Sequence, residues 1–143
     1  MRIHAEAVLP GTPERAWEVL TDWERQAAWM PDVAWVRVRG SRRELGAELE
    51  VRTKVLGFAV VTDRLTVAVW EPPLRALVDH RGLVTGWGEW RLHPIPGGMT
   101  RLVWREELRL PGGSVGELPL WTYRPIQRWT MRRSLRNLAR LLR

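Results

Sequence analysis

The sequence predicts an α+β fold: a curved antiparallel sheet of about seven strands, a long C-terminal helix across its concave face, and two short helices after the first strand. Three observations carry this reading. Six strand-like segments follow one another between residues 33 and 110, divided by short Gly- and Pro-containing breaks that suit hairpins and leave no room for crossovers. One of them, 47–55, alternates Leu49, Val51, Thr53 and Val55 against Glu48, Glu50, Arg52 and Lys54, so one sheet face is buried and the other wet. Beyond Pro125, Met131, Leu135, Leu138 and Leu142 fall on one helical stripe, an apolar face complementary to that of the sheet.

Taken in order, residues 3–9 alternate weakly and read as the first strand. Thr12 is placed to cap a helix beginning at Pro13, where the missing N–H has no partner to lose; Ala16, Trp17, Val19 and Leu20 are its apolar positions, and it ends near Asp22. A second helical turn over 24–29 stops at Met30, because the residue before Pro31 is pushed out of helical space. Within TDWERQAAWMPDVAWV, residues 21–36, Trp23, Trp29 and Trp35 recur every six residues. No single element spans them through Pro31, so each Trp is expected to dock on a different part of one core. Strands are then expected at 33–39, 47–55, 58–70, 74–81, 86–93 and 100–110, with turns at Gly40-Ser41, Gly57, Pro72-Pro73, Gly82 and Pro96-Gly97-Gly98. If the last helix extends back past Pro125, which requires a kink, Leu120 joins its apolar stripe and Arg124 and Gln127 face the sheet.

A chain of 143 residues is the size of one domain, expected here to span 1–143 and to bury roughly 70% of its unfolded surface. The absence of cysteine excludes disulfides, thiolate metal sites and Cys nucleophiles. Three scattered histidines lack metal spacing, and Ser41, Ser114 and Ser134 lie in no nucleophile elbow. The run Gly112-Gly113-Ser114-Val115-Gly116 lacks the Lys of a phosphate loop, so neither cofactor nor metal is expected. With no signal-peptide pattern and no apolar stretch of membrane-spanning length, the protein is expected to be soluble and cytoplasmic.

Net charge is +7, and Lys54 is the sole lysine among 23 basic residues, a bias that fits a GC-rich genome better than a function. No acidic residue follows Glu117, whereas Arg124, Arg128, Arg132, Arg136 and Arg140 recur every four residues. On a helix that spacing drifts by roughly 40° per step, giving a winding basic stripe. It is expected to be a solvated face with at most weak polyanion contact through Arg128, Arg132, Arg136 and Arg140, since no aromatic residue follows Trp129 for base stacking.

Four pieces stand in a telling order: PERAWEVLTDWE at 13–24 with Trp29-Met30-Pro31, WEPPLRALV at 70–78, GEWRLHPIPGGMTRLVW at 88–104, and SLRNLARLL at 134–142. In that order the chain resembles, over nearly its whole length, the START-like polyketide cyclase/dehydrase superfamily, also called SRPBCC or helix-grip. The resemblance implies that the sheet grips the last helix around an internal cavity. It also implies that the helices after the first strand close one end, with their tryptophans as packing and gating groups. Lipid carriers, quinone-binding chaperones, hormone receptors and aromatic polyketide cyclases share this fold, so fold alone fixes no reaction.

The site is therefore read from polar residues that alternation turns inward. Glu106 shares the face of Leu102, Trp104, Leu108 and Leu110; Trp90 and Leu92 mark the inner side of the preceding strand; Val61, Leu65, Val67 and Val69 bring Asp63 inward. A buried carboxylate shifts its pKa upward or pairs with a cation, for which Arg124 is the candidate. The ligand-binding candidates are Trp29, Asp63, Trp90, Trp104, Glu106, Tyr123, Arg124 and Gln127. Against them stand a rim position for Glu106 and plain core packing for Trp90 and Trp104. His4, His80 and His93 read as surface residues, and Asp79 and His80, being adjacent on a strand, point to opposite faces.

The reading favoured is non-enzymatic binding or carriage of a hydrophobic small molecule, aromatic or lipid-like. One alternative is a polyketide-type cyclase or dehydratase in the same cavity, with Glu106, Asp63 and Tyr123 as the supply of acid and base. The other is an interaction protein using the arginine helix on RNA, a ribosome or a membrane surface.

Overall fold

The computed structural model describes residues 1–143, apart from the side chains of Ala59 and Val60. The strands are β1 (Arg2–Pro10), β2 (Val33–Arg39), β3 (Glu48–Val55), β4 (Phe58–Glu71), β5 (Arg75–Arg81), β6 (Thr85–Ile95) and β7 (Met99–Arg109). Helix α1 (Pro13–Leu20) and a 3-10 helix (Trp23–Ala28) separate β1 from β2, while α2 (Gly113–Gly116) and α3 (Leu118–Leu141) follow β7. All seven strands form one antiparallel sheet in the order β1-β7-β6-β5-β4-β3-β2. β2 to β7 are thus a meander, and β1 joins it beside β7, curling the sheet into a half-barrel that holds α3.

Local chemistry explains the entry segment. Thr12 Oγ1 accepts a hydrogen bond from the Arg15 N–H at 3.4 Å, and Pro13 opens α1. The turn after it is 3-10 and not α, with the Trp29 and Met30 amides both bonded back to the Gln26 carbonyl. Gln26 Nε2 in turn donates to the Leu20 carbonyl at 3.2 Å, tying the two short helices together.

One irregularity changes which residues face the core. β4 pairs Val67 with Val78 but Val69 with Leu77, so Ala68 is an extra residue in the ladder. Strict alternation along 58–70 put Val69 inward. The bulge reverses the parity and sends Trp70 inward instead, where its ring meets Trp17 edge-on at 4.9 Å.

Trp17, Trp70, Trp23, Trp90, Trp29 and Trp104 form a continuous set of ring contacts with centroids 4.9 to 6.3 Å apart. Trp23 and Trp29 therefore dock on one core, as their spacing suggested. Trp35 does not: an irregularity between the Val33 and Trp35 pairings leaves its half-buried ring outside the core, under the Arg37 guanidinium at 4.1 Å. Arginine over indole is a favourable surface arrangement, so this Trp is stable without core contact.

α3 runs through Pro125 as one helix, lies alongside β1, and buries Met131, Leu135 and Leu138, with Leu142 just beyond its end. Asn137 Nδ2 donates to the Trp29 carbonyl at 3.1 Å, fastening the helix to the 3-10 segment. Arg132, Arg133, Arg136 and Arg140 are exposed on its other side, and Arg128 is half-buried. Among the described residues, no helix is long and apolar enough to cross a membrane.

Candidate functional site

Between the sheet and α3 lies a cavity of about 240 Å³. Its walls are mainly apolar side chains of β3 to β7, among them Leu49, Val51, Leu65, Val78 and Leu108. Its polar groups come from several elements: Asp32 before β2, Lys54 on β3, Asp63 on β4, His80 on β5 and Glu106 on β7. α3 contributes Leu120, Tyr123 and Gln127, spaced so that one helical face looks into the cavity.

Of the residues singled out from the sequence, Asp63, Trp90, Trp104, Glu106, Tyr123 and Gln127 all line this cavity. Two others lie elsewhere. Trp29 packs behind the wall, 6.1 Å from the Trp90 ring and 6.3 Å from Trp104, as a core residue only 1% exposed. Arg124 is turned about 100° around the helix from Tyr123. Its Nε donates to the Arg2 carbonyl at 3.4 Å, its guanidinium lies 5.7 Å from the Trp121 ring, and it lines a second pocket with Arg2, His4 and Trp87, which Glu106 also borders.

His80, read from the sequence as a surface histidine by default, lines the cavity. His80 is only 15% exposed in its side chain, and its Nδ1 lies 3.0 Å from Asp63 Oδ2. Leu65 is the direct partner of His80 across the β4–β5 ladder, so Asp63 is its diagonal neighbour on the same face. Asp63 Oδ1 accepts from the Arg64 amide at 3.1 Å. Gly82 makes the arrangement fit, since a Cβ there would overlap Asp63 Oδ1. The signal for His80 was its parity with Ala76 and Val78; Asp79 was the neighbour considered, and the relevant carboxylate sits one strand away.

Because Asp63 accepts at Nδ1, that nitrogen carries the imidazole proton, and Nε2 of the neutral ring is an acceptor. Nε2 is buried and has no hydrogen-bond partner among the described residues. Across the cavity, Glu106 Oε1 accepts from Trp104 Nε1 at 3.2 Å. Burial pushes the Glu106 carboxyl above the usual range, with Asp32 adding to the rise, against the His80 charge and hydrogen bonds from Trp104 and Gln127. Burial likewise raises Asp32. Burial pushes His80 down, but the Asp63 hydrogen bond and the surrounding carboxylates outweigh it, and the net direction is up.

These directions fix how stability varies with pH. Carboxyls with raised pKa bind more protons folded than unfolded, so Glu106 and Asp32 make stability fall as pH climbs from the ordinary carboxylate value to the raised one. The His80 contribution is fully present below about pH 6.5 and is lost as pH rises through its folded pKa. Glu89 has the opposite sign: Arg75 and Arg91 overcome its burial and hold its carboxyl low, so its contribution is complete above the ordinary carboxylate range. Thermal melting is therefore expected at a lower temperature at about pH 8 than at about pH 6, by about 3–5 °C per kcal/mol of linkage. His80→Gln is expected to shrink that difference; equal melting temperatures in the native chain would contradict the His80 assignment.

The chain matches the family model described as polyketide cyclase / dehydrase and lipid transport across residues 1–143. It is similar to a Mycobacterium tuberculosis protein, and to a Mycobacterium bovis one, at 31% identity over 137 residues, covering 90% of this chain and 77% of each relative. Among solved structures, a Thermus thermophilus protein superposes with a TM-score of 0.78 at 19% identity, covering 98% of this chain and 95% of that one. The di-domain ARO/CYC StfQ from the steffimycin biosynthetic pathway gives 0.78 at 14% identity, over 99% of this chain and 50% of its own. A START superfamily protein from Mycobacterium smegmatis gives 0.64 at 14%, over 97% and 92%. With sheet, gripped helix and cavity in place, the full-length match makes this chain a member of the polyketide cyclase / dehydrase and lipid transport family.

Proposed function

We propose that residues 1–143 act as one domain that takes up an apolar small molecule, aromatic or lipid-like, in the cavity between the sheet and α3. The observation that carries this reading is the cavity itself: apolar walls, three indoles (Trp23, Trp90 and Trp104), and a few polar groups at defined positions, the usual composition of a small-molecule site. Trp90 and Trp104 supply flat walls, and Glu106 with Gln127 supplies a polar anchor. A second reading, a cyclase or dehydratase, is favoured by one specific feature. A carboxyl held toward its neutral form, Glu106, and a histidine with a buried acceptor nitrogen, His80, share the cavity, as an acid and a base for proton transfer would.

Gly88 gives the test. It lines the cavity opposite Glu106, and a Cβ there would meet Val78 at 3.6 Å and Glu106 at 3.7 Å, ordinary contact distances. Gly88→Leu thus starts without a clash and fills the cavity. Calorimetric titration of the purified protein with 2-methoxynaphthalene is expected to show binding, and the variant is expected to lose at least about tenfold in affinity, about 1.4 kcal/mol, with unchanged circular dichroism. Full binding by the folded variant would place the ligand elsewhere.

A further inference from the structure

We infer that the cavity is built for a ligand bearing a weakly acidic hydroxyl, a phenol or enol, whose proton is donated to His80 Nε2 while Asp63 holds the imidazole in place. This deepens the reading above and rests on the cavity being the ligand site.

The argument starts from an unpaired atom. His80 lines the cavity; its Nδ1 is committed to Asp63 Oδ2 at 3.0 Å, and its Nε2 is buried without a partner among the described residues. A buried polar atom with no partner is costly, and one on a residue that lines a cavity can be satisfied by a donor that enters. Gly82 reinforces the point, since the smallest residue stands where any Cβ would displace the Asp63 carboxylate that orients the ring.

The surrounding charges select the kind of donor. Two carboxyl groups act on the histidine from neighbouring strands, Asp63 from β4 and Glu106 from β7, and Asp79 acts from its own strand; Asp32, before β2, lines the same cavity and acts on Glu106. Lys54 on β3 and Tyr123 on α3 complete the titratable groups of the lining. An anionic head group would meet three acids and at most two cations, which opposes a carboxylate ligand. A neutral hydroxyl meets no such opposition. A phenol ionises near pH 10, as tyrosine does, so it stays neutral at physiological pH yet donates more strongly than an alkyl alcohol. The indoles of Trp90 and Trp104, 6.3 Å apart and inclined at 72°, offer one ring for stacking and another for an edge contact with an aromatic ligand.

Three probes that differ in one group test this on the full chain: 2-naphthol, 2-methoxynaphthalene and 2-naphthoate, titrated calorimetrically at several pH values from about 6 to about 9, so that the neutral ring is sampled. Naphthol is expected to bind about five- to tenfold more tightly than its methyl ether, which has the same ring and no donor, and naphthoate is expected to bind most weakly. His80→Leu is expected to bring naphthol down to the affinity of the ether. The native chain gives a second readout that does not depend on that variant folding. The Nε2 resonance of His80 in ¹⁵N spectra is expected to move on adding naphthol and not on adding the ether. The preference for naphthol is expected to vanish as pH falls through the His80 pKa, when Nε2 gains a proton and ceases to accept. Equal affinity for naphthol and ether, or tighter binding of naphthoate, would overturn the inference while leaving the cavity as a ligand site. Failure of all three probes to bind would overturn the cavity reading itself.

Discussion

Trp90→Ala is expected to lower unfolding stability by about 3–5 kcal/mol, the range for removing a large aromatic side chain from a core. Trp90 touches more of the indole set than any other ring: Trp23 stacked at 6.3 Å and 18°, Trp29 at 6.1 Å, and Trp104 at 6.3 Å. It also forms a wall of the cavity, so the void left by truncation would merge with existing space. Rigid neighbouring rings leave little means of collapse, which places the expected cost toward the upper end. Urea unfolding followed by circular dichroism measures it. A loss below about 1 kcal/mol would mean that Trp90 lines the cavity without supporting the fold.

Leu138→Ala is expected to cost about 2–5 kcal/mol. Leu138 is fully buried on the face of α3 that meets the sheet, whereas Leu141, three residues on, is 49% exposed. Leu141→Ala is thus a matched control, expected to change stability by no more than about 0.5 kcal/mol. Similar losses at the two positions would mean that the helix is not docked by this stripe.

Much of the fold was legible because it depends on short-range patterns. A period of two gave the strands, the i, i+3, i+4, i+7 stripe gave the buried face of α3, and Thr12 with Pro13 gave the start of α1. The parity of β7 turned Glu106 and Trp104 to one face, and both line the cavity. What escaped depends on relations between elements. Nothing in Val67-Ala68-Val69 announces a bulge, because small apolar residues suit both regular and irregular pairing, yet that single residue exchanged Val69 for Trp70 on the inner face. His80 was read as a surface residue by default, as a lone histidine whose sequence neighbour Asp79 points to the opposite face. Its real partner, Asp63, is visible only once the β4–β5 register is known. Trp29 and Arg124 show the same limit. Both lie near the site in sequence terms, but which side of a ring cluster or helix they occupy is a three-dimensional fact.

The contiguous indoles have an optical consequence. Trp17, Trp70, Trp23 and Trp90 lead in unbroken contact to Trp29 and Trp104, at separations where neighbouring rings pass excitation to one another faster than they emit. Light absorbed beside α1 therefore reaches Trp104, whose ring borders the cavity and whose Nε1 is bonded to Glu106. The core is an antenna that ends at the cavity. A quenching molecule seated there darkens six indoles together, while Trp35, Trp87, Trp121 and Trp129, outside the chain of contacts, continue to fluoresce.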